Sequence, residues 1–186
     1  MDEYGRTPLM VACTHGGDLP ADIARLLLVA HQGSAAVPID VGGGETFCLH
    51  VAAASGCNHE VMSIIIKAHH EAAARADKNG AYPLHLAINT NRLNKGQLME
   101  VVTLLIKSYP GALLKRNVRG ETPLILAIYR RAPTDVLNLL LKMEDGKEAA
   151  KIPDAFGSYP LHFCDRAPSC IVRELVLTYP AAVGLG

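Results

Sequence analysis

One short phrase returns five times along this chain of 186 residues: Thr7-Pro8-Leu9-Met10-Val11-Ala12, Phe47-Cys48-Leu49-His50-Val51-Ala52, Tyr82-Pro83-Leu84-His85-Leu86-Ala87, Thr122-Pro123-Leu124-Ile125-Leu126-Ala127 and Tyr159-Pro160-Leu161-His162-Phe163-Cys164. Its leucines, Leu9, Leu49, Leu84, Leu124 and Leu161, follow one another at steps of 40, 35, 40 and 37 residues. Self-similarity at such a period marks a stack of supersecondary units, none of which can bury its apolar face alone. The recurrence predicts one elongated domain over 1–186, with units near 2–39, 40–76, 77–116, 117–153 and 154–186.

The segment from Asp77 to Leu114 contains every part of a unit. Asp77-Lys78-Asn79-Gly80 reads as a tight turn, with glycine free to take a positive φ. Pro83 suits the first position of a helix, where its missing N–H costs nothing. Leu84, Leu86, Ala87 and Ile88 make that helix apolar around much of its circumference, so it must lie between neighbours. After the polar stretch Arg92 to Gln97, Val101, Val102, Leu104, Leu105 and Ile106 predict a second helix, which Tyr109-Pro110 stops. The other units carry the same helix, with Ile23, Val61, Val136 and Val172 as its first apolar residues and Asp22, Glu60, Glu100 and Asp135 as acids placed for the positive end of the helix dipole. In the fifth unit Ile171 takes the acid's place.

This turn–helix–helix pattern, with its Thr/Tyr-Pro-Leu-His-x-Ala phrase, resembles the ankyrin repeat family over nearly the whole chain. The resemblance implies an all-α repeat solenoid of stacked helical hairpins with protruding β-turn fingers. It also implies a non-catalytic module that holds a protein or peptide through the concave groove of finger tips and inner helices. The units are longer than the family's usual length, and Gly33 to Thr46, with Gly42-Gly43-Gly44, is expected to form the most mobile finger. In the family, threonine at the start of the phrase and histidine three positions on occur together. Here they exclude each other: Thr7 and Thr122 precede Met10 and Ile125, whereas Phe47, Tyr82 and Tyr159 precede His50, His85 and His162. Ring packing, with each imidazole bonded to a carbonyl of the adjacent turn, is the expected replacement.

Composition narrows the function classes. Eighteen basic side chains balance eighteen acidic ones, so there is no global field to attract nucleic acid. No apolar run is long enough for a membrane span, and Met1 is followed by acids, unlike a signal peptide. Five cysteines without a C-x-x-C pair fit reduced thiols and an intracellular, cytoplasmic or nuclear setting. No cofactor is implied. Cys48 and Cys57, at opposite ends of one helix, stand about 13 Å apart, too far to share a zinc ion. Cys164 beside His162 and Asp165 occupies the phrase's alanine position and reads as core packing in preference to a thiol nucleophile. His69-His70 reads as a solvated loop.

By alignment of the units, the groove positions with binding character are Tyr4, Arg6, Lys78, Asn79, Asn89, Arg119, Glu121, Tyr129, Arg130, Phe156 and Arg166. Tyr4, Tyr129 and Phe156 are aromatics at sites the stack need not bury, and aromatics with arginine dominate interface hot spots. Lys115, Arg116, Arg119, Arg130 and Arg131 against Glu121 alone point toward an acidic partner. The apolar outer positions of the first and last units leave a second arrangement open, a structural subunit joined end to end through uncapped repeats.

Overall fold

A proline or an apolar residue behind an extended cap starts each inner helix, and the outer helix returns antiparallel to it. The computed structural model describes residues 1–40 and 44–184, the side chains of Asp18 and Val183 excepted. The inner helices are α1 (Pro8–Cys13), α3 (Cys48–Ser55), α5 (Pro83–Asn89) and α7 (Pro123–Tyr129), and a 3₁₀ run, Pro160–Arg166, takes their place in the fifth unit. The outer helices are α2 (Ala21–Ala30), α4 (His59–Ala68), α6 (Lys95–Ser108), α8 (Thr134–Lys142) and α10 (Ser169–Thr178). Each inner helix packs on the next inner helix and each outer helix on the next outer one, giving the two-layered all-α solenoid expected. One continuous core of leucine, isoleucine, valine and alanine runs through the stack. A two-residue antiparallel pair, β1 (Ile39–Asp40) with β2 (Glu45–Thr46), flanks the long second finger. The Gly42-Gly43 part of that finger lies outside the described residues.

The fingers are built alike because an Asx side chain opens each fully described one. Asp2, Asp77, Asn117 and Asp154 accept, through Oδ1, the backbone N–H groups two and four residues on, at 2.8–3.0 Å. The turn then needs a left-handed residue, supplied by Gly5, Gly80, Gly120 and Gly157 at φ between 66° and 81°. Adjacent fingers are laced by backbone: Val118 N–H donates to the Asn79 carbonyl and Ala155 N–H to the Arg119 carbonyl, each at 2.9 Å.

The exchange of threonine for aromatic and imidazole has a structural meaning. Thr7 and Thr122 cap their helices by accepting the N–H of Met10 and Ile125 at 3.3 Å. Phe47 and Tyr82 have no acceptor to offer there, and the histidine works in the reverse direction. His50 Nδ1 accepts the Phe47 N–H at 3.2 Å, and His85 Nδ1 accepts the Tyr82 N–H at 3.3 Å. That fixes the proton on Nε2, which donates to the Arg75 carbonyl at 3.0 Å and to the Glu121 carbonyl at 3.2 Å, both in the lead to the next unit. Both imidazoles are buried. His162 accepts from Tyr159 N–H in the same way at 2.9 Å but is exposed. A third ring completes each brace: His69 packs on Phe47 at 5.2 Å, Tyr109 on Tyr82 at 6.1 Å and Tyr179 on Tyr159 at 5.4 Å. His69 is therefore half-buried and not a solvated loop residue.

Four expectations change in detail. Helix α6 starts at Lys95 within the polar stretch, because Asn94 and Gln97 form a reciprocal capping box at 3.0 and 3.1 Å. Glu100 thus lies beyond the first turn. In α10 it is Ile171 that takes the buried first apolar position, and Cys170 that takes the acid's place. Cys164 is exposed, not packed, because its face of the fifth unit is uncovered. Cys13, Cys48 and Cys57 converge instead: the Cys13 and Cys48 Sγ atoms lie 3.6 Å apart, with Cys57 Sγ 3.6 Å from the Cys13 carbonyl. Hydrogen bonding to Cys48 pushes the Cys13 thiol up, and hydrogen bonding to Cys13 does the same for Cys57, with burial adding to both, so these two thiols resist ionisation, and all three side chains are buried core. Among the described residues no group of three or more His, Cys, Asp or Glu is placed to hold a metal.

The fourth unit replaces the usual 3₁₀ lead with an extra helix, α9 (Glu144–Ala149). It sits so close to α8 that a Cβ on Gly146 would meet the Leu140 carbonyl oxygen. Gly146→Ala is expected to cost about 1–3 kcal/mol by overpacking, whereas Gly96→Ala, in α6 with ordinary clearance, should leave stability equal or higher. Thermal melts of the two variants beside the parent check this.

Burial also lowers the His85 pKa from the ordinary 6.5 to about 4 and lowers that of His50. The unfolded chain takes up the proton below pH 6.5 while the folded chain does not. The brace is therefore fully stabilising above the unfolded pKa and is lost as pH falls toward 4, by about 3 kcal/mol in the His85 case. Urea titrations should show unfolding free energy dropping between pH 6.5 and 5, with a shallower drop in His85→Gln. Equal slopes would remove the imidazole as the cause.

Candidate functional site

Between the third and fourth fingers the stack leaves a concavity of about 290 Å³. Its floor is Leu86 and Leu126, the fifth position of the repeated phrase, and its walls carry Asn79, Asn89, Asn117, Arg119, Glu121 and Arg130. Five of the residues expected from sequence, Asn79, Asn89, Arg119, Glu121 and Arg130, are thus brought together. Arg130 extends along the floor and donates through Nε to Asn89 Oδ1 at 2.6 Å, so both side chains are held in place by a neutral contact. Lys78, Arg119 and Arg130 make no ion pair among the described residues.

Glu121 is the site's acid, yet much of it belongs to the fold. Its carboxylate accepts from Asn117 Nδ2 at 2.7 Å and its carbonyl from His85. Of the basic run beside it, Arg116 donates Nε to the Gly120 carbonyl at 3.1 Å and shapes the finger. Arg131 stands at φ 54° just past α7, in a separate depression with Asp135, Asp165 and Arg166. Arg119 and Arg130 are what the basic excess leaves in the concavity.

Next along the groove lies Tyr129, 40% exposed. Arg166 stacks on its ring at 4.4 Å and donates Nη1 to its carbonyl at 3.3 Å, and Phe163 meets its edge at 6.2 Å. Arg130 stands at 6.0 Å from the same ring. The tyrosine covers its neighbour and also presents a rigid aromatic edge. Phe156 projects from the fifth finger at 86% exposure, and Tyr4 from the first at 66%. Arg6 is drawn back by Asp2 at 2.7 Å and lies on the Tyr4 ring at 5.0 Å, so this pair is far along the stack from the central concavity.

Sequence reasoning passed over Asn117, Leu86, Leu126, Phe163 and Arg92. Asn117 carries its signal in the turn motif, since it is the Asx residue of its finger. Leu86, Leu126 and Phe163 share the fifth position of the phrase, which is apolar in every unit but varies in size. Arg92 reaches the Thr14 carbonyl at 3.5 Å, past the second unit, where Gly56 leaves room beneath its side chain.

Comparison with known proteins agrees with this architecture. The family model described as Ankyrin repeats (3 copies) matches residues 49–153, and the Ankyrin repeat model matches residues 4–40. The chain is similar to the B-cell lymphoma 3 protein homolog of Mus musculus, at 31% identity over 138 residues, covering 70% of this chain and 29% of that protein. No described helix is long and apolar enough to cross a membrane. Ankyrin repeats serve generally as protein–protein interaction modules, and with three copies matched across the middle of the stack and one at its start, this chain belongs to the ankyrin repeat family.

Proposed function

We propose that the chain is a non-catalytic intracellular module whose concave face binds an acidic segment of a protein partner, with units three to five as the energetic centre. The observation that carries this is the placement of Arg119 and Arg130, without an ion pair among the described residues, over an apolar floor of Leu86 and Leu126. An acidic side chain entering there meets two guanidinium groups, and guanidinium–carboxylate pairs are charge-assisted and bidentate. Tyr129, held by Arg166 and Phe163, adds an aromatic edge that loses little side-chain freedom on binding. The buried reduced thiols Cys13, Cys48 and Cys57 agree with an intracellular setting.

Selection of peptides from a displayed random library against the folded chain tests the reading. Bound sequences should be enriched in Asp and Glu, and affinity should fall with added salt. Against a selected peptide, Arg119→Ala with Arg130→Ala should weaken binding by about tenfold or more, and Tyr129→Ala should also weaken it. Fluorescence polarisation reads the loss. Peptides without acidic bias, or affinity untouched by these variants, would sink the proposal.

A further inference from the structure

The outer helices share a register in which Ile23, Val61, Val101, Val136 and Ile171 are equivalent. The last four are fully buried by the unit before them, whereas Ile23 is 44% exposed, and Leu27 is half-buried where its equivalents Ile65, Leu105, Leu140 and Leu175 are buried. At the other end, Val172 is half-buried where Ala24, Met62, Val102 and Leu137 are buried by the unit after them, and Val176, like Leu28, is half-buried where Ile66, Ile106 and Leu141 are buried. The two end faces are therefore the two halves of one inter-unit contact.

Three further features match across those halves. Arg25 joins the first unit to the second by donating to Glu60 at 2.8 Å. Ser63, Thr103 and Asn138 hold the equivalent place in the middle units, and arginine returns only at Arg173, exposed and without an ion pair among the described residues. The acid equivalent to Glu60 in the first unit is Asp22, which accepts from Arg25 of its own helix at 2.9 Å and is otherwise 86% exposed. Lys67, Lys107 and Lys142 line the last turn of the middle outer helices, but the same position is apolar in both end units, as Val29 at 74% and Leu177 at 69% exposure. The finger ladder is also open at both ends in matching sense. Val118 and Ala155 donate to the finger before them, and the equivalent donor is the Glu3 N–H; the equivalent acceptor is the Phe156 carbonyl. Neither group has a partner among the described residues.

We infer that the first unit of one copy stacks on the fifth unit of another, continuing the solenoid head to tail. Ile23 and Leu27 pack on Val172 and Val176, Arg173 pairs with Asp22, and the Glu3 N–H donates to the Phe156 carbonyl. Because the two surfaces differ, the contact is heterologous and does not close on itself, so it grows linearly. The groove plays no part in it, and it stands or falls apart from the proposed function.

Sedimentation velocity and light scattering of the 186-residue chain over a concentration series test the inference. Average mass should rise past the dimer with concentration. Ile23→Lys should lower the association constant by about tenfold or more, because it puts a charge at the centre of the apolar contact. Arg173→Glu alone and Asp22→Arg alone should each reduce association at low salt, and mixing these two variants should restore it, since every junction in an alternating array again joins opposite charges. All three substituted forms are surface changes whose fold circular dichroism verifies. A parent chain that stays monomeric throughout, association indifferent to Ile23→Lys, or failure of the mixed pair to recover would each overturn the head-to-tail contact.

Discussion

No unit of this chain can bury its own apolar surface, and the rest of the structure follows from that constraint. Helix α7 is apolar on every side, from Pro123 to Ile128, and all of those side chains are buried. Two neighbours are needed to achieve this, one on each flank, so the minimum stable object is a stack. Burying a short helix this completely also buries its polar ends, whose N–H groups must be satisfied locally. The chain answers in two ways. A threonine hydroxyl caps the helix within its own unit, or a histidine takes the cap residue's N–H and passes its other ring proton to the next unit. The second answer couples neighbours directly, at the cost of a buried titratable ring.

The surface available for binding is what those requirements leave unused. Glu121 and Arg116 look like binding residues by charge, yet their hydrogen bonds, with those of Asn117, hold the fourth finger in shape. Arg119 and Arg130 remain, one on the finger tip and one at the C-terminal end of α7, where the dipole also favours a cation. The Arg130–Asn89 contact limits the guanidinium's freedom without neutralising it.

Most of the fold was legible because the repeated phrase carries its own physics. Proline after an extended residue, leucine inward and alanine at the tightest contact specify the helix, and the Asx-to-glycine spacing specifies the finger. Misreadings fell where a contact joins residues that are distant along the sequence. His69 reads as solvated because nothing near it in sequence covers it, while its actual partner is Phe47, the cap of the first helix of its own unit, 22 residues earlier. The cysteine trio was missed for the same reason: Cys48 and Cys57 are separated along their own segment, but Cys13 of the first unit approaches both. The extra helix α9 rests on Gly146, whose role appears only when the Leu140 carbonyl is placed beside it. Of the groove residues, charge and position could be read from the chain, but their engagement with the fold could not.

The unequal braces explain why the concavity lies between the third and fourth fingers. His85 reaches from α5 to the Glu121 carbonyl, and Val118 bonds to Asn79, so these fingers are tied at two points, one deep and one near the tip. Thr122 begins the next inner helix and caps only itself, and Ile125 beside it has no donor to send onward. The fifth finger is therefore tied to the fourth by the Ala155–Arg119 backbone bond, with Phe156 standing clear beyond it. A doubly tied pair holds Asn79, Arg119 and Arg130 at fixed separations, and pre-set separations are what let a shallow polar site bind without a large ordering cost. The histidine that stabilises the stack is in this way also the residue that keeps its groove in register.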